Sequence, residues 1–127
     1  MGEQTDGIRD YRDLIVWQEA MEIAELVYGL ARAFPREEAF GMTSQLRRSA
    51  ASVPANIAEG YGRAQRKVFV QFLRVAQGSL KELETHLVLS GRVGLMPTQA
   101  SEDMLERTMR LGKRLVQLVR SLERGRE

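Results

Sequence analysis

SQLRRSAASVPANIAEGYGR, residues 44 to 63, decides the fold, because it reads as a helix with three different faces. At helical spacing it carries an apolar stripe, a stripe of small residues and a polar row. In that order, the three sets are Leu46, Ala50, Val53, Ile57 and Tyr61; Arg48, Ala51, Ala55, Ala58 and Gly62; and Ser49, Ser52, Asn56 and Glu59. A helix exposed on one side should show charges opposite its apolar stripe, yet Glu59 is the only charge between Arg48 and Arg63. We therefore predict a helix that is covered on more than one side.

The small residues allow another backbone to approach closely, which favours an interface between copies of the chain. The predicted oligomer interface consists of Ala51, Ala55, Ala58, Asn56 and Glu59. Glu59 has two readings: it joins a buried polar network with Ser49, Ser52, Asn56 or Ser79, or it binds an arginine across the interface. Such a network would fix helix register only if every polar group in it found a partner.

Pro54 interrupts this stretch, because proline lacks an N–H and presses on the carbonyl four residues earlier. One interpretation is a continuous helix that kinks at Pro54. The other is a helix that restarts there, with Ser52 near its N-cap. The three stripes keep their phase across the proline, which favours the continuous helix, and Gly60 and Gly62 are expected to end it.

Hydrophobic periodicity predicts three further helices and an all-α fold, an up-and-down antiparallel four-helix bundle that assembles as a homo-oligomer. The predicted helices span about 13–34, 44–62, 66–90 and 98–124, after a disordered arm at 1–10. Their expected core seams are Leu14, Trp17, Met21, Ala24, Tyr28 and Ala31; Phe69, Leu73, Ala76, Leu80, Leu83 and Leu87; and Met104, Thr108, Leu111, Leu115, Leu118 and Leu122. Trp17 and Tyr28 are expected to be core or interface anchors.

Composition narrows the class of protein. A chain of 127 residues suffices for one domain with its own core. It contains no cysteine, which excludes disulfides and thiolate metal sites. No apolar run is long enough to span a bilayer, and the N-terminus is too polar for a signal peptide. We expect a soluble, cytoplasmic protein without a membrane partner.

The sequence offers few groups for catalysis or metal binding. His86 is the only histidine, so a di-iron site or a catalytic triad lacks its parts. Glu82 lies four residues before His86, which predicts a structural pair on one helix. No phosphate-binding loop or dinucleotide fingerprint occurs. We therefore predict no catalytic residues, no metal site and no cofactor, and a hydrolase or nuclease is the least favoured function.

Charge is strongly segregated along the chain, although its net value is only +2. The net charges of residues 1–42, 43–78, 79–106 and 107–127 are −5, +5, −3 and +5. If the two basic blocks meet in space, they form a surface for a polyanion. The alternative is charge matching between neighbouring helices or subunits.

Nine basic residues are the candidates for contacting nucleic acid: Arg47, Arg48, Arg63, Arg66, Lys67, Arg74, Arg107, Arg110 and Arg114. The guanidinium group of arginine can donate two parallel hydrogen bonds to a phosphate, but it binds carboxylates equally well. Aromatic residues for base stacking are sparse. Any nucleic-acid contact should therefore be dominated by phosphate, depend on salt and read few bases.

Three segments of the chain carry a family resemblance: LIVWQEAMEIAELVYGLARAFP, RRSAASVPANIAEGYGR and FVQFLRVAQGSLKELETHL. They resemble the bacterial proteins encoded by intervening sequences in 23S ribosomal RNA genes. The accessory protein of diversity-generating retroelements resembles the same group. The resemblance covers roughly residues 11–96, so the pairing of the last helix depends on periodicity. It implies a four-helix bundle, assembly as a homopentamer and a role in nucleic-acid binding, and it does not imply an enzyme.

These observations lead to two main hypotheses. In the first, a homo-oligomer, a pentamer by resemblance, binds structured RNA or DNA through its basic surface. In the second, the protein is a scaffold or adaptor for a protein partner, such as a nucleic-acid enzyme, and any affinity for nucleic acid is incidental.

Overall fold

Four α-helices account for most of the computed structural model, which describes residues 7–125. They are α1 (Ile15–Ala31), α2 (Met42–Gly62), α3 (Arg66–Arg92) and α4 (Thr98–Arg124). Short 3₁₀ helices lie at Tyr11–Asp13 and Arg36–Glu38. No strand occurs within the described residues, so the prediction of an all-α fold with four helices is confirmed.

Successive helices run antiparallel, as their mutual contacts show. Ser52 of α2 meets Ser79 of α3, and Gly60 of α2 lies against Phe72 of α3. Positions later in α2 therefore face positions earlier in α3. The same relation joins α3 to α4, and α1 contacts both α2 and α4. One hydrophobic core is enclosed by all four helices.

The predicted core seams of α3 and α4 are confirmed. All twelve of their residues are buried, from Phe69 to Leu87 and from Met104 to Leu122. Leucine dominates both seams and recurs at steps of three and four, which is the spacing that keeps one helix face toward the core. Some apolar residues outside the seams are exposed, among them Val75 and Val116.

Helix α1 is rotated relative to the sequence prediction. Leu14, Ala24 and Ala31 of its predicted seam are buried. Four residues outside that seam are buried as well: Val16, Ala20, Ile23 and Val27. Trp17, Met21 and Tyr28 of the predicted seam lie instead at the margin that faces α2. The two apolar stripes of α1 are adjacent, and the sequence does not indicate which one points inward.

Helix α2 is continuous through Pro54, which is itself buried, so the restarted helix is ruled out. It begins at Met42, two residues before the predicted start, with Gly41 as its N-cap. The carboxylate of Glu38 accepts a hydrogen bond from the Met42 N–H at 3.1 Å. It thereby satisfies one of the backbone N–H groups that have no partner within the first turn of the helix.

The helix ends also differ from the prediction. Helix α1 stops at Ala31 rather than near residue 34, and α3 continues past Gly91 to Arg92. The left-handed residue after α2 is Ala64, with φ +60°, rather than one of the preceding glycines. Gly94, with φ +78°, has the left-handed backbone after α3.

The arm predicted to be disordered lies partly outside the described residues, at positions 1–6. In the described part, Ile8 packs against the core. The Asp10 side chain accepts a hydrogen bond from the Arg12 N–H at 2.9 Å and caps the first 3₁₀ helix. The bundle is therefore closed at this end by residues that precede α1.

Candidate assembly and nucleic-acid surfaces

An apolar groove of about 740 Å³ separates the outer edges of α1 and α2. Trp17, Met21 and Tyr28 line its α1 side, and Trp17 also packs against the edge of the core. The α2 side is formed by the small stripe: Ala51, Ala55 and Ala58, with Pro54. We call this surface the α1/α2 groove. In this groove, large apolar side chains of α1 lie beside the small residues of α2.

The five predicted interface residues do not share one face. Ala51 and Ala55 are exposed and Ala58 is half-buried, all in the α1/α2 groove. Asn56 and Glu59 lie on the side of α2 that faces α3, where Asn56 donates to the backbone oxygen and the hydroxyl of Ser52. The predicted interface therefore divides into a groove and a separate polar edge.

The polar network exists without Glu59. The hydroxyl oxygens of Ser52 and Ser79 are 2.7 Å apart and link α2 to α3, and Asn56 joins them through Ser52. Ser49 instead donates to the carbonyl of Gln45 on its own helix. Glu59 is exposed and pairs with Arg63 at 2.9 Å. Of the two readings of Glu59, the buried network is therefore wrong, and contact with an arginine across an interface stays a prediction.

The nine candidate basic residues fall into three separate sets. Arg47 and Arg48 lie in the first half of α2. Arg63, Arg66, Lys67 and Arg74 surround the turn from α2 to α3, while Arg107, Arg110 and Arg114 lie along α4 beside α1. Position 47 is about 24 Å along α2 from position 63, at 1.5 Å per helical residue. No single patch unites the nine.

The second set is joined by the end of α4. The Arg66 guanidinium donates to the carbonyl of Gly125 at 2.6 Å, and Arg74 pairs with Glu123 at 3.2 Å. These contacts bring Arg124 to the same end of the bundle. We call Arg63, Arg66, Lys67, Arg74 and Arg124 the basic end. Two of its side chains face carboxylates, and Lys67 and Arg124 have no ion pair with any described residue.

Cations at this position also have a structural role. The carbonyl ends of α2 and α4 both point toward the basic end, and the partial negative charge of a helix C-terminus favours basic side chains. Arg66 serves this role directly at Gly125. Lys67 begins a helix instead of ending one and is exposed, so helix capping does not explain it.

The third set faces carboxylates. Arg107, Arg110 and Arg114 line a small cleft of about 150 Å³ with Glu19 and Glu22 of α1. Arg114 Nε lies 3.0 Å from Glu19 Oε1. This arrangement matches the alternative prediction of charge matching between neighbouring helices, and it weakens the positive potential of the stripe.

The two arginines of the first set, Arg47 and Arg48, differ in exposure and in their contacts. Arg47 is half-buried and its guanidinium lies 5.2 Å from the centre of the Tyr28 ring, a cation–π contact across the α1/α2 groove. Arg48 is exposed and donates to the side chain of Gln45. Arg47 thus contributes to packing at the groove, and only Arg48 presents its charge outward.

Two further sequence predictions concern single sites. His86 Nε2 is 3.7 Å from Glu82 Oε2, too far for a hydrogen bond, so the predicted pair is adjacent but not bonded. Within residues 7–125, no group of three or more histidine, aspartate or glutamate side chains is placed to hold a metal ion. No helix in this range is long and apolar enough to cross a membrane.

Arg124 belongs to the basic end but not to the nine candidates predicted from the sequence. It lies in the last basic block, whereas the predicted candidates on α4 lie in its middle turns. The signal that identifies it is topological: antiparallel pairing of α3 with α4 places the last turn of one beside the first turn of the other.

The fold defines a small all-α protein of the four-helix-bundle class. The chain belongs to the 23S rRNA-intervening sequence protein family, whose sequence model matches residues 12–117. It is also similar to the crystal structure of a protein of unknown function from the S23 ribosomal protein family of Bacteroides thetaiotaomicron VPI-5482. The two are 25% identical with a TM-score of 0.76, over 83% of this chain and 98% of the other. No curated protein matches the chain.

Proposed function

We propose that this protein is a non-enzymatic homo-oligomer, a pentamer as the family resemblance implies, which binds the phosphate backbone of structured RNA or DNA. The observation that carries the proposal is the basic end, where α4 adds Arg124 to the cations of the α2–α3 turn. In an oligomer this end is repeated once per copy. Repeated weak contacts to one polyanion raise the overall affinity through effective concentration.

The chemistry of the basic end favours backbone contact over base recognition. Its cations are arginine and lysine, which bind phosphate oxygens, and its exposed members extend into solvent. The aromatic residues near these cations have partners within the bundle: Tyr61 packs edge-on against Phe69 at 5.8 Å between ring centres, and the Arg63 guanidinium lies 5.6 Å from the centre of the Phe72 ring. Binding should therefore depend on duplex shape and salt more than on sequence.

Replacing Arg63, Lys67 and Arg124 together with glutamine should weaken binding to an RNA hairpin and to a DNA duplex. Arg66 is retained because it supports the end of α4. Each lost phosphate contact lowers the slope of log affinity against log salt by about 0.9 for a duplex, so the slope should fall by about 2 to 3. Fluorescence anisotropy between low and physiological salt measures both quantities.

The matched control replaces Arg107, Arg110 and Arg114 with glutamine, which removes the same charge from the stripe beside Glu19 and Glu22. We expect less than half the change in slope. Equal effects of the two variants would show that only net charge matters and would contradict a role for the basic end. If the unaltered protein binds neither nucleic acid, the polyanion proposal fails and the adaptor hypothesis replaces it.

Assembly is proposed to use the α1/α2 groove. Ala55→Glu places a carboxylate among Trp17, Met21 and the small stripe, where a second copy would strip it of water. We expect the mass in solution to fall toward the 14.4 kDa of one chain, with helicity retained. Light scattering and circular dichroism measure the two.

Ala33→Glu is the matched control, because Ala33 is exposed in the turn after α1 and lies outside the groove. Its mass should equal that of the unaltered protein. An unaltered mass for Ala55→Glu would remove the groove from the assembly, and a monomeric mass for the parent protein would end the oligomer proposal altogether.

A further inference from the structure

A long apolar groove follows the seam between α3 and α4. It consists of two hollows of about 590 and 540 Å³, which share Lys81 and Met109 and therefore form one continuous surface. Three of its apolar residues are unusually exposed, Leu89 at 45%, Met109 at 56% and Val116 at 38%. We call it the α3/α4 groove. It has no residue in common with the α1/α2 groove or the basic end, so neither of those surfaces accounts for it.

The α3/α4 groove has the dimensions of a site for a helix. Positions 77 and 92 of α3 mark its ends and lie about 22 Å apart, at 1.5 Å per residue, which equals about four helical turns. Gly112 lines its middle, where a Cβ atom would make only an ordinary contact with Leu80, at 3.7 Å. Packing within the bundle would therefore accept a side chain at position 112, and glycine leaves room there for the backbone of another helix.

The charges along the groove are mainly positive and come from both of its walls. Lys81 and Arg92 line it from α3, and Lys113 and Arg120 line it from α4. Among the described residues of the lining, Glu84 is the only acidic one, and its carboxylate lies 3.0 Å from Lys81 Nζ. Arg92, Lys113 and Arg120 have no ion pair with any described residue. A complementary occupant is therefore apolar along its middle and acidic along both edges.

These features favour a helix over other occupants. An extended peptide binds by adding a strand to the edge of a sheet, which the seam between two helices lacks. A phosphate backbone would lose water against the apolar floor without gaining hydrogen bonds there. A helix satisfies its own backbone groups, and apolar residues at i, i+3, i+4 and i+7 form the single face that a long apolar groove accepts.

A second copy of this chain offers no suitable helix within its described residues. Helix α1 is acidic, with three glutamates and no basic residue, but its apolar face is buried in the core. Two of its glutamates, Glu19 and Glu22, already face arginines of α4. The other three helices carry more basic than acidic residues and would be repelled by the cations of the groove.

We propose that the α3/α4 groove binds an acidic amphipathic helix of a different protein. The apolar face of that helix covers Leu89, Met109 and Val116, and its carboxylates pair with the cations on the two walls. This inference goes beyond the proposed function and does not depend on nucleic-acid binding, because the groove and the basic end have no residue in common.

The probe is a fluorescein-labelled peptide of about 18 residues, long enough for the four turns of the groove. It carries leucines on one helical face and glutamates on both sides of that face. Fluorescence anisotropy measures its binding to the full chain at physiological salt. We expect binding to weaken about tenfold or more when lysines replace the glutamates, and equally when the same residues are reordered so that the leucines share no face. Failure of the acidic peptide to bind, or equal binding of the lysine peptide, would overturn the proposal.

Val116→Glu tests the location, because it places a carboxylate within the groove. Val75→Glu is the matched control, since Val75 is exposed on α3 and lines neither hollow. We expect about tenfold weaker binding of the acidic peptide for the first variant and a change of less than about twofold for the second. Gly112→Leu fills the groove without adding charge and should also weaken binding. Its control is Gly78→Leu, because Gly78 lines neither hollow and a Cβ atom there meets nothing within 4 Å.

Equal effects of Val116→Glu and Val75→Glu would place the peptide elsewhere and overturn the assignment of the groove. Light scattering and the RNA hairpin identify the other occupants. A fall in mass specific to Val116→Glu would assign the groove to a second copy of the chain. A loss of hairpin binding specific to the same variant would assign it to nucleic acid. Either result would overturn the proposal of a partner helix.

Discussion

Replacing Gly60 with alanine is expected to destabilise the protein by about 3 kcal/mol, because α2 and α3 lie too close there to admit another side chain. A Cβ atom at this position would lie 2.5 Å from the Cβ of Phe72 and 3.2 Å from the ring of Phe69. The first contact involves an atom fixed to the α3 backbone, so a change of rotamer cannot relieve it. The helices must separate, which opens the core around them.

Gly78→Ala is the matched control, since Gly78 lies inside α3 and a Cβ atom there meets nothing within 4 Å. Alanine should leave the free energy of unfolding unchanged or raise it by up to about 1 kcal/mol, through helix propensity. Urea unfolding followed by circular dichroism measures both. A stable Gly60→Ala protein would contradict the close approach of the two helices.

The role of Gly60 illustrates what the sequence predicts and what it leaves open. From the chain alone, Gly60 reads as a helix stop, because glycine is common after a last turn. In the structure, Gly60 is buried inside α2 and does not end it. Its lack of a side chain permits the contact with Phe72. Close approach depends on the partner helix, and no local pattern identifies that partner residue.

The presence of four helices can be predicted from the spacing of hydrophobic residues. The buried faces of α3 and α4 can be predicted as well, because each of these two helices has one dominant apolar stripe. Helix α1 has two, and the choice between them depends on how α2 and α4 pack against it. This ambiguity of rotation decides whether Trp17 and Tyr28 enter the core or line a groove. The sequence shows which residues are apolar or small, but it does not show that Trp17 and Tyr28 share a groove with the alanines of α2.

The basic residues show the same limit in electrostatic terms. Sequence blocks predict where positive charge is concentrated, but the balance at each site depends on neighbouring helices. Arg114 faces Glu19 at 3.0 Å, while Lys67 faces no described carboxylate within ion-pair distance. An exposed ion pair contributes at most about 1 kcal/mol to stability, yet it largely cancels the charge that a polyanion would meet. The candidate site is thus smaller than the set predicted from sequence.

Leu118→Ala should lower the free energy of unfolding by about 3 to 5 kcal/mol, the second large effect expected here. Leu118 is fully buried in the hydrophobic core, so the change removes packing contacts and leaves a cavity there. It lies just beyond residues 12–117, the range that the family model matches. Its burial was predicted by periodicity alone, so this substitution tests whether the end of α4 belongs to the core.

Leu26→Ala is the matched control, because it makes the same change at a leucine on the exposed side of α1. Leu26 is 42% exposed, so its truncation should cost less than about 1 kcal/mol. Equal midpoints in urea for the two variants would show that the last turns of α4 are detached from the core. In that case the last turn of α4 would no longer hold Arg124 near the α2–α3 turn, and the basic end would lose its structural basis.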